Sequence, residues 1–335
     1  MNKNDLKYLD TLRFIAICGV ILIHVVSGIT DTQPQLMSIT QYRTYTFFKC
    51  LGAFGVPVFL MISGTLFLSP QKKITIQTLL CKYIRRIVVA LLLFGTFFAS
   101  LELFFTSHIF NVSLLFQSFV NTLKGNSWGH MWYLYALLGL YFLLPLLKSF
   151  TEIANKTTYE YVLLLLFIFG CILPLLDKYF SFKLGIMFPV QGIFLFYYLL
   201  GYYLDKYIDF SANINWILAG LLIDIFLIYI FCFTAKHHSI SDHSPLVVML
   251  SIFLFLFMKD AKRHREIYTK LRPYYFGIYL VHTFFLNLSY KLFHITPLAF
   301  DGYCLIPVFF SATFIFSLVL VWILLKIPPL KKYVL

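Results

Sequence analysis

Long apolar stretches separated by short polar segments are the dominant pattern of this chain. An α-helix rises 1.5 Å per residue, so about 20 consecutive apolar residues cross the hydrocarbon core of a bilayer. We therefore predict an all-α, polytopic transmembrane helical bundle of about ten spans, with nine or eleven as alternatives, in a single integral membrane domain over residues 1–335. The predicted spans are 10–29, 47–68, 87–106, 131–147, 161–176, 191–205, 214–234, 246–258, 274–292 and 303–325.

The composition and the loop charges refine this prediction. Because 60% of the residues are apolar and 12% are charged, a soluble domain of this length is excluded. With the N-terminus inside, the inner segments hold 20 Lys and Arg residues and the outer segments hold five. This asymmetry predicts that both termini are cytoplasmic. Basic loops beside anionic lipid account for the net charge of +13, so no nucleic-acid partner is expected.

The first predicted span carries the first candidate chemistry. Arg13 and His24 are eleven residues apart, so they lie on one helix face and about 16 Å apart along the axis. Asp10 precedes Arg13 by three residues and can hold its guanidinium group. In isolation the pair could be a snorkelling arginine and a histidine bonded to a neighbouring helix. An ionisable residue inside a bilayer is nevertheless a functional-site hypothesis by default. No small-residue cleavage site follows this span, so we expect an uncleaved helix.

Four elements of the sequence share an order with one family of membrane proteins. They are Asp10-x2-Arg13-x10-His24, Gly55-x-Pro57 with Ser63-Gly64, His130-x-Trp132, and Gly277-Ile-Tyr279-x-x-His282. Together they resemble the acyltransferase 3 family, whose members move acyl groups from acyl-CoA to sugars of cell-surface glycans. The length and layout look most like the stand-alone bacterial inner-membrane O-acetyltransferases of that family.

The resemblance implies a multi-pass acyltransferase of the bacterial inner membrane. The expected donor is acyl-CoA, with acetyl-CoA preferred, and the expected acceptor is a glycan or a lipid-linked sugar. The alternative is an exporter of polysaccharide or small molecules from the same superfamily, for which related halves would be expected. We find no such repeat in the sequence. Because the chain stops soon after its last span, any partner that finishes the transfer outside is expected to be absent or separately encoded.

Within that resemblance, His24 is the predicted catalytic base. Acyl transfer to a hydroxyl needs a group that removes a proton near neutral pH, and histidine suits this best. Arg13, held by Asp10, is expected to line a tunnel for the donor, with His24 at the end of that tunnel.

The predicted cytoplasmic loop before the third span supplies further cations. Lys82, Arg85 and Arg86 are, with Arg13, the candidate contacts for the phosphates of CoA. The family often has an Arg-x-x-Arg pair here. Lys82 stands at the first of those positions and keeps the charge without the planar fork of an arginine. The alternative role of this loop is a simple positive-inside anchor.

Five other residues are candidates for the acceptor site: Ser63, His130, Trp132, His282 and Glu102. The stretch around Ser63 could instead serve packing, Trp132 could belong to an interfacial aromatic belt, and His282 could be a core histidine. His130 is expected at the outer surface, where it could meet the sugar. Glu102 is expected to orient His24 or His282, with Asp224 as the other intramembrane carboxylate.

No metal is expected. The six cysteines are scattered without a metal-binding spacing. His237, His238, Asp242 and His243 cluster in a predicted outer loop, but their spacing fits no defined metal site, so we expect a solvated loop.

Overall fold

The computed structural model describes residues 7–31, 34–108, 111–186, 192–209, 214–234, 241–261, 264–293, 295–298 and 305–334. Within these ranges the regular structure is helical and no strand is present. The helices are α1 (Lys7–Thr30), α2 (Ile39–Gly52), α3 (Gly55–Leu68), α4 (Ile76–Ser107), α5 (Val112–Leu123), α6 (Gly129–Ile153), α7 (Lys156–Phe180), α8 (Ile193–Tyr207), α9 (Ile214–Thr234), α10 (Pro245–Asp260), α11 (Glu266–Lys270), α12 (Tyr275–Asn287), α13 (Leu305–Leu324) and α14 (Pro328–Tyr333).

Seven helical segments in the described part of the chain are long and apolar enough to cross a membrane: α1, α2 with α3, α4, α6, α7, α9 and α13. The other three predicted spans correspond to the shorter helices α8, α10 and α12. An all-α, multi-pass architecture is therefore confirmed, whereas the count of ten stays a prediction. The ends predicted at 191 and 303 lie outside the described residues.

Several boundaries differ from the sequence prediction. The helix α4 begins at Ile76 instead of residue 87, so Lys82, Arg85 and Arg86 lie on a helix and not in a loop. The second predicted span is two helices, α2 and α3, joined at residues 53–54. The helix α2 begins well before the predicted span because Ser38 caps it: Ser38 Oγ accepts from the Gln41 amide at 3.2 Å, and Gln41 Oε1 accepts from the Ser38 amide at 2.9 Å. The helix α5 was not predicted. Its cap is Asn111, which accepts from the Leu114 amide at 2.8 Å.

The helix α1 lies at the centre of the bundle. It packs against α2, α3, α10, α11, α12 and α13, and more than half of its residues are buried. Its Gly19 faces Gly52 of α2, where an added Cβ would lie 2.9 Å from a backbone oxygen. This close packing holds Arg13 and His24 rigidly toward the helices that supply the rest of the site.

The closest helix crossing joins α3 and α8. A Cβ on Gly64 would overlap the carbonyl group of Tyr198, and a Cβ on Gly201 would overlap the backbone of Met61. Small residues allow two backbones to approach in this way inside a membrane. The crossing fixes the position of α3, which carries Ser63.

Candidate active site

Three histidines from three different helices meet inside the bundle. The ring centre of His24 on α1 lies 5.0 Å from that of His282 on α12 and 6.3 Å from that of His130 at the start of α6. The rings of His130 and His282 are 5.3 Å apart. His282 is fully buried and His130 is 3% exposed, whereas His24 is half-buried. The sequence named all three residues but did not group them.

His130, expected at the outer surface, is buried among packed helices. In the turn Gly129–Met131, Gly129 is exposed whereas His130 and Met131 are buried, and His130 contacts α12. His130 Nε2 is 3.1 Å from the Leu280 carbonyl oxygen, and Tyr279 donates from its hydroxyl to the carbonyl oxygen of His130. These two hydrogen bonds offset the cost of burying the ring and the carbonyl group of His130.

A cavity of about 280 Å³ lies beside this cluster. Three guanidinium groups line it, those of Arg13, Arg86 and Arg272. Its other walls include Tyr133 and Tyr279, and the Tyr279 ring centre is 6.0 Å from those of His130 and His282. The cavity thus joins a cationic region to the aromatic wall of the histidine cluster. His24 itself is not among the residues that line it.

Asp10 organises the cationic region. Its carboxylate is completely buried and accepts from both Arg13 and Arg272. The predicted contact between Asp10 and Arg13 is present, and Arg272 adds a two-pronged contact, with its Nε 2.8 Å from Asp10 Oδ1. One carboxylate therefore faces two guanidinium groups. Arg272 was not among the predicted site residues. Its position as the last cation before the ninth predicted span was the one feature of the sequence that could have indicated it.

The four residues predicted to contact CoA divide into two pairs. Arg13 and Arg86 line the cavity. Lys82 and Arg85 are exposed and do not line it: Lys82 lies over Tyr83, and Arg85 lies over Tyr333. Successive residues of a helix differ by about 100° in direction, so Arg85 and Arg86 leave the helix toward different sides. Arg86 is fixed by donating from Nε to the Val334 carbonyl oxygen at 2.8 Å.

Lys72 adds a cation outside the helices. Its ammonium group lies 3.6 Å from the centre of the Phe67 ring, and Phe67 lines the cavity. Burial, reinforced by the charges of Lys82, Arg13 and Lys148, lowers the pKa of Lys72 to about 8. Several cationic side chains close together, with fewer carboxylates to neutralise them, produce a positive potential that favours anion binding.

The remaining predicted acceptor residues are dispersed. Ser63 lines the cavity and is hydrogen bonded to Tyr133. Trp132 packs instead against Phe194, with ring centres 5.1 Å apart. Of Ser63 and Trp132, Ser63 therefore lies beside the cationic region and Trp132 does not line the cavity.

Glu102 was predicted to orient His24 or His282, but it contacts other residues. Glu102 Oε2 accepts from Lys291 at 2.5 Å and from the Trp128 indole at 2.9 Å, so it orients neither His24 nor His282. Asp224, the alternative carboxylate, is buried in α9 without a hydrogen-bond partner in the described part of the chain. Neither carboxylate is hydrogen bonded to a histidine of the cluster. The sequence could not foresee this, because it does not tell which neighbour each helix face contacts.

The outer loop that contains several histidines lies mostly beyond the described ranges, which exclude His237 and His238. His243 Nδ1 is 2.7 Å from the Gly170 carbonyl oxygen. Among the described residues, no group of three His, Cys, Asp or Glu side chains is arranged to hold a metal ion.

Comparisons with known proteins find related sequences. Residues 6–326 match the family described as an acyltransferase domain. The chain is 25% identical over 308 residues to YfiQ of Bacillus subtilis (strain 168), which is named as a candidate membrane-bound acyltransferase; the match covers 86% of this chain and 83% of YfiQ. No solved structure matches the chain.

Proposed function

The chain belongs to the acyltransferase 3 family, and from that premise we propose that it is a membrane O-acyltransferase that moves an acyl group from acyl-CoA to a sugar hydroxyl. The expected acyl group is acetyl, and the expected acceptor is a cell-surface glycan or a lipid-linked sugar. The single observation that carries this proposal is the cavity with Arg13, Arg86 and Arg272 on its walls and the histidine cluster behind Tyr279.

The donor would bind from the cationic region. Three guanidinium groups line the cavity, Lys72 lies over the Phe67 ring at its wall, and the Asp10 carboxylate contacts two of the three arginines. Guanidinium groups bind phosphate oxygens through paired N–H donors, which suits the phosphates of CoA. The narrow pantetheine arm would occupy the cavity, and the Tyr279 ring would have to shift before the thioester reached His24.

The proposed reaction uses His24 as general base and then as general acid. His24 takes the proton of the acceptor hydroxyl while the hydroxyl oxygen attacks the thioester carbon. The C–S bond then breaks, and His24 returns the proton to the departing thiolate of CoA. A new ester and free CoA are formed, with no net change in protons.

The topology belongs to the same proposal. Ten helices cross the inner membrane of a bacterium, both termini are cytoplasmic, and the cavity opens toward the cytoplasm. The surplus of Lys and Arg in alternate loops supports this orientation.

The proposal predicts that His24→Ala abolishes acyl transfer. Membrane vesicles from cells that express the chain would receive radiolabelled acetyl-CoA, and label in the glycan fraction would be counted. Loss of a general base is expected to lower transfer by about 10²–10⁴-fold. His108→Ala is a matched control, because His108 is an exposed residue that ends α4.

Full transfer by His24→Ala at equal expression would contradict the assignment of the base. If the unaltered chain transferred no acetyl group but vesicles that contain it accumulated glycan, the exporter alternative would replace the proposal.

A further inference from the structure

The three clustered histidines differ in how their ring nitrogens are used. Both nitrogens of His130 have polar neighbours: Nε2 lies 3.1 Å from the Leu280 carbonyl oxygen, and Thr283 Oγ1 lies 3.1 Å from Nδ1 and 3.3 Å from Nε2. A carbonyl oxygen only accepts, so Nε2 carries the proton and Nδ1 accepts from the threonine hydroxyl. His130 is therefore a brace between α6 and α12, with no ring nitrogen left for proton transfer.

His282 is satisfied on one side only. Its Nδ1 lies 2.7 Å from the Tyr279 carbonyl oxygen, so Nδ1 carries the proton. The neutral ring then has a lone pair on Nε2. That atom is completely buried and has no hydrogen-bond partner in the described part of the chain. An unsatisfied buried acceptor is costly, and such an atom in a native protein calls for a specific partner.

The nearest candidate partner is His24. Its ring is half-buried, and its centre is 5.0 Å from that of His282 with the two planes tilted by 54°. Two imidazoles joined by one N–H···N hydrogen bond have their centres about 5 Å apart, since each nitrogen lies about 1.1 Å from its ring centre. The observed separation matches the length of such a bond, although the two rings are not hydrogen bonded in this structure, so the His24 ring has to turn to form it.

We propose that His282 is the positioning residue of His24. His282 Nε2 accepts the N–H of His24, which fixes the His24 tautomer and turns its other nitrogen, with a lone pair, toward the acceptor hydroxyl. When His24 takes the hydroxyl proton, the same bond stabilises the imidazolium ion that forms. A neutral histidine thereby does what a carboxylate does in a Ser-His-Asp triad. This inference rests on the proposed acyl transfer and deepens it.

Two amide substitutions separate this role from a structural one. His282→Asn keeps an N–H donor near the Nδ1 position, so it can still bond to the Tyr279 carbonyl, but it removes the Nε2 acceptor. His282→Gln keeps a polar atom near the Nε2 position but removes the Nδ1 donor. A positioning role predicts that the Gln variant is the more active one, whereas a bracing role predicts the reverse.

The assay is transfer of radiolabelled acetyl groups from acetyl-CoA to the glycan fraction by membrane vesicles that contain the full chain. We expect His282→Asn to lower kcat by about tenfold to a hundredfold, with KM for acetyl-CoA within about twofold of the unaltered chain. His282→Gln is expected to recover part of that loss. His243→Asn is the matched control: it is the same exchange at a histidine whose Nδ1 contacts the Gly170 carbonyl oxygen and not the cluster, and it should keep kcat within about twofold.

A double substitution completes the test. If His282 acts through His24, adding His282→Asn to His24→Ala should cause no further loss, because the two residues act as a unit. Normal kcat for His282→Asn, or a more active Asn than Gln variant, would overturn the positioning role. Failure of the proposed function would look different, since the unaltered chain would then transfer no acetyl group.

Discussion

At the scale of single residues, the cationic end of the cavity depends on charges that are only partly compensated. Asp10 is buried between Arg13 and Arg272, and its one negative charge cannot neutralise both. Removing Asp10 would leave two guanidinium groups without their buried partner, which is costly. The arrangement keeps the arginines fixed while leaving positive charge for a ligand.

Lys72 gives this end of the cavity a pH dependence. Its pKa is lowered to about 8, so the ammonium group is charged below that pH and loses its proton above it. If Lys72 binds a phosphate of CoA, KM for acetyl-CoA should rise by about tenfold between pH 7 and pH 9, the loss of one charge-assisted hydrogen bond. Initial rates over a range of acetyl-CoA concentrations at each pH would measure this.

Two substitutions at adjacent lysines test whether Lys72 causes this pH dependence of KM. Lys72→Arg keeps its charge throughout the range and should flatten the pH dependence of KM. Lys73→Arg changes an exposed neighbour and should leave the dependence as it is. A Lys72→Arg profile that still followed the unaltered chain would exclude Lys72 as the titrating group.

At the scale of elements, α3 and α8 are locked by two glycines. Gly64 and Gly201 each face the backbone of the opposite helix, so neither helix can rotate or slide without a clash. Ser63 lies next to Gly64, and Tyr198 opposite it. The crossing therefore sets one wall of the cavity as well as the packing of the bundle.

Gly64→Ala should destabilise the protein strongly. The new methyl group would meet backbone atoms of Tyr198 that no side-chain rotation can move, at an expected cost of about 3 kcal/mol. Gly139→Ala is the matched control, because an added Cβ at Gly139 meets nothing within 4 Å. Thermal unfolding of the purified proteins in detergent would compare them, and an equal Tm for both variants would refute the packing argument.

At the scale of the whole molecule, the site has two ends. The cavity carries arginines from α1, α4 and the segment before α12, whereas the histidines lie deeper, beyond Tyr279. On the proposed function and orientation, acyl-CoA would enter from the cytoplasmic side and the acyl group would move toward the opposite face. The fold would then carry the acyl group away from the cytoplasmic side while the nucleotide part of CoA stayed outside the lipid.

Sidedness follows from this arrangement. Sealed inverted vesicles should use added acetyl-CoA, whereas sealed right-side-out vesicles should use it only after permeabilisation. The apparent affinity should weaken with added salt, because exposed charges are screened with a Debye length of about 10 Å at 0.1 M. Equal use of acetyl-CoA from both faces of sealed vesicles would contradict the proposed orientation.

Local features of the chain were sufficient for much of the fold and for part of the site. Backbone groups inside a bilayer must be satisfied within each segment, so the lengths of the apolar stretches alone predicted the helices. Arg13 and His24 share a helix face because eleven residues make three turns. The contact between Asp10 and Arg13 follows from a separation of three residues on that helix.

Only the tertiary structure decided which helix faces meet. Arg272 reaches Asp10 from 262 residues away, and His130 turns inward to bond Leu280, 150 residues away. Helical periodicity tells which residues share a face, but in a uniformly apolar span it does not tell which neighbour that face contacts. For the same reason the sequence named His24, His130 and His282 separately, and only their packing revealed one cluster, in which His282 Nε2 is buried without a hydrogen-bond partner in the described part of the chain.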